Sequence, residues 1–179
     1  MQPSLWDSRI SMPTSYPMVG KPLYGIYAYK WAGLNENGDP QVYDAENNVT
    51  SGPARDYHAL VYCGTTVPIH NASLTNVLRY KGFEFSAMLI LDAGHKLRSS
   101  NIPSINMSNG RITSTAKGIV DRWTQPGDVT DVPRLLFSND TENFNTHRTE
   151  LYRYSDLFVY DASNLSLIHI SEPTRPEPI

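Results

Sequence analysis

The stretch NASLTNVLRYKGFEFSAMLILDAGHK, Asn71 to Lys96, constrains this chain more than any other. In its second half Phe83, Phe85, Ala87, Leu89, Leu91 and Ala93 recur at every second position, opposed by Glu84, Ser86, Met88, Ile90, Asp92 and Gly94. In its first half Ala72, Leu74, Leu78 and Tyr80 share a side, opposed by Ser73, Thr75, Val77, Arg79 and Lys81, and Asn76 interrupts the apolar row. A period of two is the signature of a strand, and Lys81-Gly82 between the halves is a tight reversal, so the spacing predicts a long β-hairpin. Each strand has about ten residues, the length of a tilted strand crossing a bilayer, whereas soluble strands are more often five or six. The polar face holds Glu, Asp, Arg and Lys, which suits a water-filled lumen.

The rest of the chain agrees with an all-β reading. PLYGIYAYKWAGL, Pro22 to Leu34, places Tyr after Tyr at two-residue spacing and predicts a strand. NENGDPQVYDAENNVTSG, Asn35 to Gly52, is rich in turn signals, and residues 1–21 are polar and proline-punctuated. The use of 11 Tyr, 11 Gly and 13 Pro favours short strands and turns over long helices. Leu97 to Asp156 shows little periodicity and predicts a long loop, in which only TAKGIVDRW, Thr115 to Trp123, has the pattern of a short helix. The run YRYSDLFVYDASNL, Tyr152 to Leu165, alternates again and predicts the start of another strand.

Several function classes are disfavoured. A net charge of -3 offers no broad basic face for nucleic acid. The single Cys63 excludes an internal disulfide, and the five histidines are scattered without metal-ligand spacing. Acid pairs such as Asp128 with Asp131, or Glu84 with Asp92, are expected by chance among 18 acids, so no enzyme activity, metal or cofactor is expected. The longest apolar run is AMLIL, Ala87 to Leu91, too short for a membrane helix but silent about a membrane β-barrel. A soluble β-sandwich that binds carbohydrate stays open as the alternative; it requires short loops where this chain has a long one.

Four stretches carry a family resemblance when taken in order. PLYGIYAYKWAGLNENGDPQVYDAENNVTSG resembles the segment of SusC/RagA-type TonB-dependent transporters in which an aromatic strand leads into a Gly-Asp-Pro turn. YKGFEFSAMLILDAGHKL is similar to the hairpin that follows it, and DRWTQPGDVTDVPRL, Asp121 to Leu135, looks like a late extracellular loop of that family. YSDLFVYDASNL is similar to the next strand. The resemblance spans residues 22–165 and implies antiparallel meander strands cut from a large outer-membrane barrel. It implies import of oligosaccharides or peptides, energised by TonB, with a SusD-like surface lipoprotein as partner. It also places Lys81-Gly82 at a periplasmic turn, turns Phe83, Phe85, Leu89 and Leu91 to lipid and Arg79, Glu84, Ser86 and Asp92 to the lumen, and sets Arg122, Trp123, Pro126, Gly127 and Asp128 in an extracellular loop near substrate or the lipoprotein. On this reading the chain is an internal piece of the transporter, and no standalone activity is expected.

The last stretch, LSLIHISEPTRPEPI, departs from that pattern at Ser166. It resembles a translated sequencing-library adaptor, which implies that residues 166–179 are foreign to the fold. Its apolar alternation at Leu165, Leu167 and His169 nevertheless has the period to prolong a strand.

Overall fold

The computed structural model describes residues 18–52, 57–107, 117–137 and 146–173. Twelve strands and one α-helix lie within them: β1 (Gly25–Tyr29), β2 (Trp31–Leu34), β3 (Pro40–Tyr43), β4 (Val49–Thr50), β5 (Leu60–Thr65), β6 (His70–Tyr80), β7 (Phe83–Ala93), β8 (Lys96–Arg98), β9 (Asn106–Met107), β10 (Leu136–Phe137), α1 (Thr146–Arg153), β11 (Val159–Asp161) and β12 (Asn164–Pro173). Except for the short parallel pair β9–β10, every strand pairing is antiparallel.

The hairpin expected from the sequence is present. β6 and β7 pair without a slip from His70–Ala93 to Tyr80–Phe83, and each is 11 residues long. Lys81 and Gly82 both have positive φ, 44° and 82°, the backbone that a two-residue reversal needs to match the strand twist. β12 then joins the far edge of β7, from Asn164–Asp92 to Pro173–Phe83, giving the order β12–β7–β6. Residues 166–173, which the adaptor-like reading sets apart, thus continue the strand that begins at Asn164. Residues 174–179 lie outside the described part, as do residues 1–17 at the other end.

All three long strands break at one level and resume on the other side of it. β5 leads into β6 across Thr66 to Ile69, β7 into β8 across Gly94 and His95, and β11 into β12 across Ala162 and Ser163. Above the break β8 pairs with β11, β5 pairs with β1, and β5 lies beside β8. The wall therefore has two tiers, a lower one of β6, β7 and β12 and an upper one of β1, β5, β8 and β11.

Only the upper tier is packed into a core. Tyr27, Tyr29, Val42, Ala59, Leu60 and Leu151 form one buried cluster, and Ile105, Tyr152 and Phe158 another. Trp31 packs against both and so ties the β2–β3–β4 sheet to α1.

Four sequence expectations need correction. Pro22 to Leu34 is not one strand but two: the chain breaks at Lys30, and β1 and β2 enter different sheets. All five residues of β1 are buried, so the tyrosine alternation there does not separate a wet face from a dry one. The described residues between Leu97 and Asp156 are not a structureless loop: they include β9, β10 and α1, which buries Arg148, Leu151 and Tyr152. Tyr152, read as the start of a strand, belongs to that helix, and the strand proper begins at Val159. The expected helix Thr115 to Trp123 is a 3-10 turn at Lys117–Asp121, with Val120 79 % exposed and Trp123 beyond its end; Thr115 and Ala116 lie outside the described residues.

Candidate functional site

The lower tier sorts its side chains by register. Directly paired residues of an antiparallel sheet point to the same face, so Leu74 lies beside Leu89 and Leu167, and Leu78 beside Phe85. Ala72 joins Leu91 and Leu165, and Tyr80 joins Phe83 at the turn. Phe83, Phe85, Leu89 and Leu91 thus share one face, broadened on both sides by residues of β6 and β12. That face is uncovered: Leu74 is 62 % exposed, Tyr80 69 %, Phe83 72 % and Leu165 67 %. Apolar side chains clustered over three strands and left bare are not what a domain folding alone in water presents.

The opposite face carries Arg79, Glu84, Ser86 and Asp92. Arg79 Nε donates to Glu84 Oε2 at 2.8 Å across the turn end, and Asn71 Nδ2 donates to Asp92 Oδ1 at the break end. Both pairs sit at directly opposed positions, so the strand pairing itself aligns them. The Arg79–Glu84 bridge is too exposed to add much stability. Between them lie Ser73, Thr75, Val77, Ser86, Met88 and Ile90, so this face is polar at its ends and mixed in its middle.

The loop residues Arg122, Trp123, Pro126, Gly127 and Asp128 are placed elsewhere, against the Gly38-Asp39-Pro40 turn. The Asp128 carboxylate accepts hydrogen bonds from the Thr124 N–H, the Thr124 hydroxyl and the Gln125 N–H, at 2.8, 2.8 and 3.0 Å. These bonds hold it below the usual carboxylate range and close the loop on itself. Arg122 donates to the Ile119 carbonyl, and Trp123 N–H to the Val132 carbonyl. The Trp123 indole lies so close to Gly38 that a Cβ there would come within 2.4 Å of the ring; only glycine fits, and its φ of 74° also favours glycine. Between the Asn35–Gly38 turn and this loop runs an open groove of about 790 Å³, lined by Leu34, Glu36, Trp123, Val129 and Asp131 among others.

The turn is anchored from beneath by residues that no pattern in the sequence singled out. Arg134 grips Asp39 with two bonds, Nε to Oδ1 at 3.1 Å and Nη2 to Oδ2 at 2.8 Å. Arg148, only 3 % exposed, donates to Asp39 Oδ1, the Ile105 and Arg134 carbonyls and Asn106 Oδ1. Burial pulls its pKa down and the Asp39 charge opposes that pull. One buried guanidinium therefore fastens four stretches of chain. A further tie runs from Trp31 Nε1 to Asp131 Oδ1 at 2.9 Å. The Gly-Asp-Pro turn was visible in the sequence, but its partners come from 95 and 109 residues away and leave no local trace.

Among the described residues no group of His, Cys, Asp and Glu is placed to hold a metal ion. No helix there is long and apolar enough to cross a membrane, which does not bear on crossing by strands.

No protein-family model and no curated protein matches the chain. Solved structures do. The chain is similar to the RagAB peptide transporter, with a TM-score of 0.55 at 17 % identity over 79 % of this chain and 15 % of that one. It is similar to the RagAB peptide importer in its open-open state, with a TM-score of 0.53 at 16 % identity over 78 % and 14 %. The closed-closed state gives 0.50 at 19 % identity over 79 % and 15 %. The chain therefore spans about one-seventh of the length of the structures it matches, and at these identities what it shares with that segment is the fold: an all-β, mainly antiparallel meander.

Proposed function

We propose that these residues form part of the wall and outer loops of an outer-membrane transporter of the SusC/RagA type. In that setting Phe83, Phe85, Leu89 and Leu91 face lipid, and Arg79, Glu84, Ser86 and Asp92 face the lumen. The observation that carries the reading is the lower tier: the long paired strands β6 and β7, extended by β12, with an apolar face left bare along β6 and β7 and at Leu165 and Leu167. Lipid is the one solvent that favours such a face, and a closed barrel supplies the neighbouring strands that its two free edges require. The likeness to a peptide importer makes peptides the favoured cargo over oligosaccharides. The resemblance of the sequence to that family adds, as part of the proposal, a lipoprotein partner of the SusD type and energisation by TonB. Residues 122–128 would then lie on the outer side, close to cargo or to that partner.

Adjacent residues of one strand test this. Leu74 and Thr75 occupy the same height but opposite faces. Arginine on a lipid-facing midplane position costs about 2–4 kcal/mol, roughly 30- to 1000-fold in partition. Partition of the chain into lipid vesicles should fall by that factor in Leu74→Arg and by less than about threefold in Thr75→Arg. Equal effects of the two substitutions, or a monodisperse and cooperatively melting chain in detergent-free buffer, would sink the proposal.

A further inference from the structure

We infer that the shared break in the three strands marks the outer surface of the bilayer, and that the upper tier stands in water above it as a stem for the loops. The inference rests on the proposed membrane setting and deepens it by fixing where lipid ends.

Three independent features meet at this level. The first is the backbone. At the break the ladder is replaced by single bonds: Ile69 N–H to the Ala93 carbonyl, Gly94 N–H to the Ser163 hydroxyl at 3.0 Å, and Ala162 N–H to the His95 carbonyl. Irregular backbone of this kind is not tolerated against hydrocarbon, where each unmet polar group costs several kcal/mol, but water satisfies it freely.

The second is the distribution of polar groups. Directly above the break Lys96 Nζ donates to Asp161 Oδ2 at 3.0 Å across β8 and β11. The Asp161 carboxylate also accepts from the Ser163 N–H, and these partners hold its pKa far below the usual range. Directly below the break Asn71 pairs with Asp92 on the lumen-side face. On the opposite face, from that level down to the turn, the described side chains carry no charge. They run Ala72, Leu74, Asn76, Leu78, Tyr80 on β6 and Phe83, Phe85, Ala87, Leu89, Leu91 on β7, with Leu165 and Leu167 on β12.

The third is height. From Phe83 to Ala93 a strand rises about 34 Å along its axis at ~3.4 Å per residue. Tilted by about 40°, it spans roughly 26 Å of membrane normal, against the ~25 Å apolar band of outer-membrane barrels. The band that begins at the aromatic pair Tyr80 and Phe83 is therefore used up where the strands break. Since short turns lie on the periplasmic side of such barrels, the break lies outside. It also coincides with the level at which the sheet begins to pack into a core: Leu60 is 9 % exposed and Thr65 6 %, although Leu97 and Tyr160 stay exposed there.

The experiment places arginine on either side of the break in the full chain and measures partition into phosphatidylcholine vesicles. Leu97, exposed and just above the break, should accept arginine with less than a threefold loss, whereas Leu74→Arg loses roughly 30-fold or more. Equal losses would place lipid above the break and overturn the inference while leaving the membrane setting intact; no loss in Leu74→Arg would remove the membrane setting itself. Cysteine labelling covers a variant that fails to fold. In a Cys63→Ser background, Leu97→Cys in vesicles should react with a membrane-impermeant maleimide as fast as in detergent, and Leu89→Cys at least tenfold more slowly. Protection of both positions would also overturn the inference.

Discussion

Replacing Asp39 by Asn should unfasten the outer hub, and the size of the effect follows from its surroundings. The carboxylate accepts from Arg134 at both oxygens and from Arg148 at Oδ1, which the two guanidinium groups share, and Arg148 is almost completely buried. Asn keeps the shape and one acceptor oxygen but removes the charge that two guanidinium groups share. Removing one partner of a buried pair costs about 3–5 kcal/mol because the other charge stays behind unpaired. Here the Asp39 and Arg134 side chains keep 20 % and 23 % exposure, so water recovers part of that cost on one side. Arg148 has no such relief, and we expect a loss of about 3 kcal/mol, at the lower end of that range. Urea unfolding of the chain in detergent micelles, followed by the fluorescence of Trp31 and Trp123, should show a midpoint lower by ~1.5 M at a slope of about 2 kcal/mol/M. The double variant Asp39→Asn with Arg148→Met should be less unstable than the sum of the two singles by at least ~1.5 kcal/mol, since the second change removes the stranded charge. A loss below ~1 kcal/mol in Asp39→Asn, or strict additivity, would refute the reasoning.

Two further outcomes follow from the hub. Gly38→Ala puts a methyl group where the Trp123 ring lies and forces a left-handed backbone on an L-residue, at a cost of at least about 1 kcal/mol; the indole should be expelled, seen as red-shifted emission, and unchanged emission would argue against the packing. Burial, with help from Glu150 and Tyr154, pushes the Tyr29 phenol up to about 12, so the folded state keeps a proton that the unfolded chain loses near pH 10. Stability should be intact below pH 10 and decline as pH rises towards 12; ionisation of every tyrosine in one step near 10 without unfolding would contradict this.

The sequence exposed the lower tier well and the hub poorly, for a physical reason. In β6 and β7 each side chain meets only its cross-strand neighbours and solvent, so a period of two survives intact, and Lys81-Gly82 supplies the one turn such a hairpin needs. β1 is buried on both faces, and its alternation of Tyr with Ile and Ala therefore says nothing of sidedness. α1 was invisible because THRTELYR buries an arginine along with Leu151 and Tyr152, leaving no apolar stripe to read. Arg148 takes its meaning from Asp39, Ile105, Asn106 and Arg134, none of which is near it in the chain. The Trp-Thr-Gln-Pro-Gly-Asp loop was legible as a loop, but its seat on Gly38 depends on a glycine that looks like any other turn residue.

The two-tier wall has a consequence for how the chain assembles. The β6–β7 hairpin closes over two residues and can form in about 1–10 μs, but β12 reaches β7 only after some seventy intervening residues. Closing a flexible loop of that length costs roughly 4 kcal/mol before the first new ladder bond forms. The pairing of β8 with β11 just above the break spans a somewhat shorter loop, and we expect it to make that closure first and to set Asn164 opposite Asp92. The third strand then zips downward in a register chosen outside the lower tier. Pulsed hydrogen exchange should accordingly find β8 and β11 amides protected before those of β12. The late strand is the one whose placement depends most on the stem, so loss of the β8–β11 pairing should misregister a sheet to which neither strand belongs.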